Sequence, residues 1–174
     1  MHPFDPLNPE EISLAAALVR PHFGQQEPNF RVITLQEPPK QQMIPFLDTE
    51  HGRNTHRQEP PSRCARVHVV VRLQEEKNAL FELLVDLNEK KVIAKQHQRG
   101  KHSYIDSEYM KQVEAACLAN ADVQDQIRVL DLPEGSSVVV EPWAYATDGE
   151  NDMSQRLSMV RGKQVCLLLC MILD

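Results

Sequence analysis

The pattern of hydrophobic and polar positions predicts a helix near the start of the chain. Residues 7–20, LNPEEISLAAALVR, carry hydrophobic side chains at helical spacing. Asn8 can cap this helix, Pro9 suits its first turn, and Glu11 completes a capping box. We expect Pro21 to end the helix, because proline lacks a backbone N–H and clashes with the preceding turn.

Later stretches have the period-two alternation of strands. Residues 29–36, NFRVITLQ, alternate before a proline pair, and in RCARVHVVVRLQ one face is apolar through Ala65, Val67, Val69 and Val71. ALFELLVDLN and KKVIAKQHQ, joined by a short turn, complete an antiparallel meander. We expect KQQMIPFLD to be a short helical turn or irregular, broken by Pro45. One helix on an antiparallel sheet makes a compact α+β unit.

The second half repeats the order of helix and strand. DSEYMKQVEAACLAN predicts a helix capped by Asp106 or Ser107, and a second short helix begins near Asp122. A strand is expected through Val138–Val140. The predicted fold class is therefore α+β, with two small domains of which the second is short of strands.

The last residues form an apolar run, VCLLLCMIL, from Val165 to Leu173. It is about half as long as the roughly 20 residues that a transmembrane helix requires, so we expect no membrane span. A core strand, a core helix and an aggregation-prone segment all remain open for it.

Charge and cysteine usage narrow the class of protein. The formal net charge of −6 argues against a nucleic-acid-binding protein, which would present a basic field. No signal peptide is recognisable at the N-terminus. The four cysteines include no CxxC pair, and Cys166 and Cys170 have no histidine nearby, so reduced buried thiols and a cytoplasmic location are expected.

Histidines and acids offer few candidates for chemistry. His51 and His56 form an HxxxxH pair with no carboxylate at ligand spacing, which favours an exposed loop over a metal site. His68 lies on the mixed face of its strand, where a solvated or paired histidine is expected. Asp86 could act as a general base, but the sequence names no partner for it.

The remaining candidates have structural interpretations. Glu10 and Glu11 suit the positive end of a helix dipole, and Trp143 is expected to pack as an anchor after the last strand. The sequence contains no nucleophile elbow, glycine-rich phosphate loop or zinc-protease motif. We therefore predict no catalytic, cofactor-binding or metal-binding residue.

The order of five segments carries a resemblance. HPFDPLNPEEI, FRVITLQEPPK and LFELLVDLNEKKV, followed by VEAACLANADVQDQI and VVVEPWAYATDGENDMSQRL, resemble the start of copper-containing primary amine oxidases, particularly the intracellular fungal kind. The resemblance implies a first cystatin-like α+β domain over residues 1–100 and a partial second one over residues 101–159. Residues 160–174 depart from the family's pattern, which a retained intron or a frameshift would explain.

The family's activity would lie outside this chain. These enzymes oxidise a primary amine with O₂ and water to an aldehyde, ammonia and hydrogen peroxide. The resemblance implies a topaquinone made from the tyrosine of an Asn-Tyr-Asp/Glu motif, copper held by three histidines, two of them in a His-x-His pair, and an aspartate base. None of the three tyrosines here follows an asparagine, and no His-x-His occurs. No catalytic residue, copper or topaquinone is therefore assigned to this chain.

The expected function follows from that resemblance. The chain is predicted to be the N-terminal region of an amine oxidase, truncated before the catalytic domain and inactive alone. The alternative is a standalone small α+β binding or accessory protein, for example in a biosynthetic pathway. The family implies a homodimer, packing on a catalytic β-sandwich domain, and a peroxisomal location for full-length members. No nucleic-acid or membrane partner is expected.

Overall fold

The computed structural model describes residues 2–53, 56, 58–144, 157–162 and 171–172, and in the last two ranges it describes only the side chain of Ser158. The chain divides into two compact units, Met1–Ser103 and Tyr104–Asp174. Each unit combines helices with antiparallel strands, so the predicted α+β class is confirmed.

The first helix has the predicted caps. Helix α1 spans Pro9–Val19. Its Asn8 side chain accepts a hydrogen bond from the Glu11 N–H at 2.8 Å, and the Glu11 carboxylate accepts one from the Asn8 N–H at 3.0 Å. Pro21 falls in the 3-10 turn that follows, Arg20–Phe23, so α1 ends as its sequence requires.

The sheet of the first unit is a four-stranded antiparallel meander. Its strands lie in chain order: β1 (Asn29–Gln36), β2 (Cys64–Val71), β3 (Ala79–Asp86) and β4 (Lys91–His97). The predicted apolar face of β2 is buried, and α1 packs on that face through Ala15 and Val19. Leu83 on β3, opposite Val67, is also fully buried in this core.

The prediction that Pro45 breaks the next segment is wrong. Helix α2 spans Lys40–Glu50 with Pro45 inside it. Proline removes one backbone donor, but Met43 is only 2% exposed and anchors the first half of the helix. The N–H of His51 bonds to the carbonyl of Leu47 at 2.9 Å and closes the C-terminal turn. The burial of Met43 therefore overrides the helix-breaking preference of Pro45.

The second unit begins with two capped helices. Asp106 caps α3 (Ser107–Ala119) and Asn120 caps α4 (Ala121–Val129). Three antiparallel strands follow in chain order, β5 (Val140–Ala144), β6 (Leu157–Gly162) and β7 (Met171–Ile172). A strand was predicted over residues 138–140. The observed strand β5 begins at Val140, the last residue of that prediction. Strand β6 crosses the predicted domain boundary at residue 159.

Trp143 does not pack as an anchor after a strand, as the sequence had suggested. It lies within β5 and is 50% exposed. Strand residues alternate between two faces, and Val140 and Pro142 take the buried one, so Trp143 takes the other.

Among the described residues, no helix is long and apolar enough to span a membrane. Most of the apolar run, including Cys166 and Cys170, lies outside the described residues.

Candidate functional site

The most elaborate polar cluster of the first unit is built around Arg63, which precedes β2. Its guanidinium forms a two-pronged ion pair with Glu11 of α1, with Nε 2.8 Å from Oε1 and Nη2 2.9 Å from Oε2. The Arg63 side chain is 9% exposed and that of Glu11 17% exposed. The fork matches the planar shape of both groups, which makes it one of the stronger polar contacts in proteins.

The same guanidinium also binds backbone. Nη1 donates to the His2 carbonyl at 2.8 Å, while Nη2 reaches the carbonyls of Asp5 at 3.1 Å and Pro6 at 3.3 Å. The hydrogen bond from Arg63 lowers the pKa of Glu11, assisted by the Asn8 N–H. The same bond raises the pKa of Arg63. Both groups are therefore ionised at neutral pH, and this cluster fixes structure instead of moving protons.

The structure gives His68 and Asp86 the partners that the sequence could not name. His68 Nε2 lies 2.8 Å from the Glu82 carboxylate on β3, the residue opposite it in the strand register. Asp86 accepts bonds from the Ser62 hydroxyl and from the N–H groups of Asn88 and Glu89, all at 2.9 Å. Burial raises the pKa of Asp86, but these donors outweigh burial and lower it overall. Asp86 therefore shapes the turn into β4 and is a poor general base.

A second cluster surrounds Lys95 on β4. Its ammonium group lies 4.0 Å from the ring centroid of Phe23 and 5.1 Å from that of Phe81, and donates to the His22 carbonyl at 2.8 Å. Burial lowers the pKa of Lys95. His97 stacks on Phe81 and lies 3.0 Å from Glu76. Cation–π contact of this kind stabilises an edge of the sheet.

The two loop histidines both make backbone contacts beside α2. His51 caps α2 through its backbone, and the carbonyl of His56 accepts from the Thr49 hydroxyl at 3.0 Å. Elsewhere the imidazoles of His2, His68 and His97 each face one carboxylate. In the part of the chain that the structure describes, no three His, Cys, Asp or Glu side chains converge as metal ligands.

Comparisons with known proteins decide the family. The family model for the copper amine oxidase N2 domain matches residues 2–98, which is more than half of the chain and nearly all of the first unit. The chain belongs to the copper amine oxidase N2-domain family.

Fungal relatives agree with this assignment. Copper amine oxidase 1 of Aspergillus niger is 33% identical over an alignment of 150 residues, which covers 83% of this chain and 22% of that protein. The copper amine oxidase-like protein cao2 of Schizosaccharomyces pombe is 28% identical over 158 residues, covering 89% of this chain and 19% of that protein.

A solved structure shows the same fold. The copper-containing benzylamine oxidase from Hansenula polymorpha superposes with a TM-score of 0.70 at 27% identity, covering 92% of this chain and 24% of that one. The chain thus spans about a fifth to a quarter of the length of the proteins it matches.

Three of the described histidines are paired with carboxylates and do not form a copper ligand set with one another. Copper prefers several imidazoles that converge on one point, whereas the three paired imidazoles here each bind a different glutamate. Tyr109 follows a glutamate, not the asparagine of the Asn-Tyr-Asp/Glu motif, and its hydroxyl shares a hydrogen bond with that of Ser158 at 2.9 Å in the core of the second unit.

Sequence reasoning missed Arg63 as the centre of the main cluster. Its partners lie 52 to 61 residues away along the chain. The only local signal was the pattern HPFDPLNPEE, whose prolines hold the segment extended and leave carbonyls without helical partners.

Proposed function

We propose that this chain is a non-catalytic structural part of a copper amine oxidase-type protein and that it has no oxidase activity of its own. The observation that carries this proposal is the match of the N2-domain family to residues 2–98, which lie within one compact unit with a closed hydrophobic core. A domain with a closed core can be carried by a larger protein as a folded module.

The arrangement of polar groups supports the structural role. The Arg63–Glu11 fork, the His68–Glu82 pair and the Asp86 turn each connect elements of the same sheet and helix. These side chains serve contacts within the fold, whereas copper prefers several imidazoles that converge on one point. The oxidation of amines, with copper and topaquinone, then belongs to the catalytic β-sandwich domain of the family.

Partners and location follow from the same proposal. The chain would pack against a catalytic domain within a homodimer, as the family implies. Cys64 and Cys117 are both free thiols, and this supports a reducing compartment such as the cytoplasm. The alternative is a peroxisomal location, which the family implies for its full-length members.

The first experiment tests for activity. The chain of 174 residues is supplied with Cu²⁺ and oxygen and then offered benzylamine, the substrate class in the name of the Hansenula polymorpha enzyme. We expect no hydrogen peroxide above the level of a heat-denatured sample, while the Hansenula enzyme treated in parallel produces it. Peroxide formation that depends on both amine and copper would overturn the proposal.

The second experiment tests the structural role directly. Residues 2–98 replace the aligned segment of the Hansenula polymorpha enzyme, and the matched control carries Leu83→Asp in the graft. We expect the chimera to fold and to oxidise benzylamine, and the control to aggregate, because a charge in a closed core costs several kcal/mol.

A different outcome would favour the alternative. If the chimera fails although the 174-residue chain folds by itself, a standalone binding or accessory role becomes the better explanation. Small-molecule or partner capture by the folded chain would then be the next measurement.

A further inference from the structure

Residues 2–8, called the strap below, form an ordered segment ahead of α1. The N–H of Asp5 bonds to the His2 carbonyl at 3.0 Å, and the Asp5 carboxylate accepts from the His2 N–H at 2.7 Å. Pro3 is fully buried, and Leu7 packs against the core of the first unit. The strap is therefore a built part of this unit.

Arg63 holds the strap at one point. Three strap carbonyls, those of His2, Asp5 and Pro6, converge on its guanidinium. Without the guanidinium the Asp5 and Pro6 carbonyls would lose this donor, and the His2 carbonyl would keep only the Asp5 N–H. A partly buried polar group that loses its partner is costly. The Arg63 backbone is fixed in turn, because its carbonyl accepts from the Leu87 N–H at 2.9 Å.

Glu11 holds the guanidinium in the orientation that the strap needs. Its two oxygens bind Nε and Nη2, which leaves Nη1 directed at the His2 carbonyl. A single positive charge could approach the same carbonyls, but only the planar fork fixes the direction of several N–H bonds at once.

The far end of the strap contacts α2. The His2 ring lies 5.7 Å from the Phe46 ring, centroid to centroid, and its Nε2 lies 3.4 Å from the Glu50 carboxylate. Met43 of the same helix is buried, whereas Ile44 is exposed. His2 thus joins α2 to the segment that Arg63 holds.

We propose that residues 2–8 act as a closing strap, that the Arg63–Glu11 fork is its latch, and that the closed strap holds α2 in place through His2. The strap opens as a unit when the latch is weakened. The core beneath β2 and β3 stays closed, because its apolar contacts with α1 do not involve the latch.

Amide hydrogen exchange of the full chain tests the latch. Glu11→Gln removes the charge but keeps an acceptor for the capping box, which glutamine also satisfies. Its matched control is Glu10→Gln, an exposed residue in the same helical turn. We expect peptides covering residues 2–8 and 40–50 to exchange at least about tenfold faster in Glu11→Gln than in Glu10→Gln. Peptides covering residues 64–71 and 79–86 should exchange at the same rate in both variants. Arg63→Lys, which keeps the charge and loses the fork, should act in the same direction.

His2→Ala removes the side-chain contacts with α2 but leaves the Arg63–Glu11 latch in place. We expect faster exchange in residues 40–50 and unchanged exchange in residues 5–8. The Phe4 N–H is left out of this expectation, because it donates to the His2 Nδ1 at 3.2 Å and loses that acceptor in the variant. If α2 is unaffected in His2→Ala, the link does not pass through His2 and the proposal fails. The proposal also fails if Glu11→Gln behaves like Glu10→Gln, or if the strands 64–71 and 79–86 speed up as much as the strap does. None of these outcomes depends on the proposed absence of oxidase activity.

Discussion

The two units both place helices on antiparallel strands, but they keep their polar contacts in different places. In the first unit the core between α1 and the sheet is aliphatic and aromatic, and its main ion pair, Arg63–Glu11, lies where the strap meets α1. In the described part of the second unit, a polar contact lies inside the core. There the hydroxyls of Tyr109 and Ser158, both buried, join α3 to β6.

The comparison separates two ways of specifying a fold. An apolar core supplies most of the stabilising free energy, because the hydrophobic free energy scales with the apolar area removed from water. A buried hydrogen bond adds little net stability, yet it penalises every arrangement that leaves one partner alone. We therefore expect mutations in the first core to have large effects on stability. In the second core, polar mutations should have small effects that depend strongly on each other.

The largest effect is expected for Leu83→Ala on β3. Leu83 is 0% exposed, and truncating a leucine in a packed core costs about 2–5 kcal/mol. Urea denaturation followed by far-ultraviolet circular dichroism measures the loss. The single tryptophan, Trp143, lies in the second unit, so its fluorescence follows that unit separately.

Ile93→Ala is the matched control for Leu83→Ala. It also deletes three carbons from a strand of the same sheet, but Ile93 is 47% exposed on β4 and should cost well under half as much. Equal losses for the two variants would show that the core assigned to the first unit is wrong.

An intermediate effect with a defined pH dependence is expected for Glu11→Gln. The bond to Arg63 lowers the pKa of Glu11 below its ordinary value of 4.5, so the ionised carboxylate stabilises the folded state. This contribution is complete above the unfolded pKa and is lost as the pH falls through the lowered folded pKa. At pH 7 we expect a cost of about 2 kcal/mol, typical of hydrogen bonds to charged groups.

Urea midpoints measured from pH 7 down to pH 3 test that dependence. The difference between the native chain and Glu11→Gln should shrink below about pH 4.5, whereas Glu10→Gln should differ little from the native chain throughout. A difference that stays constant on acidification would mean that the Glu11 charge contributes nothing.

The elements that sequence predicted best are those with complete local signals. Helix α1 has its cap, proline and capping box within four residues, and β2 shows strict alternation, so both were predicted with nearly the observed bounds. Helix α2 was expected only as a short helical turn or an irregular stretch, because its local signal, Pro45, opposes the burial of Met43, which depends on tertiary structure. Resemblance to the amine oxidases, from the order of short segments, was confirmed by the family match.

The polar contacts were less accessible to sequence reasoning. The His68–Glu82 pair depends on the exact register of β2 and β3, which alternation alone cannot supply. Arg63 shows no periodicity, and its partners come from the strap and from α1. Its position therefore required the packed structure.

The smallest effect is expected for the Tyr109–Ser158 contact, and it tests whether β6 belongs to the core of the second unit. Tyr109→Phe and Ser158→Ala should each cost about 1–2 kcal/mol, because each leaves one buried hydroxyl without this partner. The double variant should cost less than the sum of the two by about 1 kcal/mol, since it removes both groups together. Trp143 fluorescence during urea denaturation gives the free energy of unfolding of the native chain, of the two single variants and of the double variant.

Ser136→Ala is the control for this cycle, because Ser136 is exposed in the turn before β5. Combined with Tyr109→Phe, it should give additive changes. Additivity in the Tyr109–Ser158 cycle as well would show that the contact does not form in solution and that β6 is not held against α3. A measured coupling would instead place residues 157–162, on both sides of the boundary predicted at residue 159, in one cooperative core with α3.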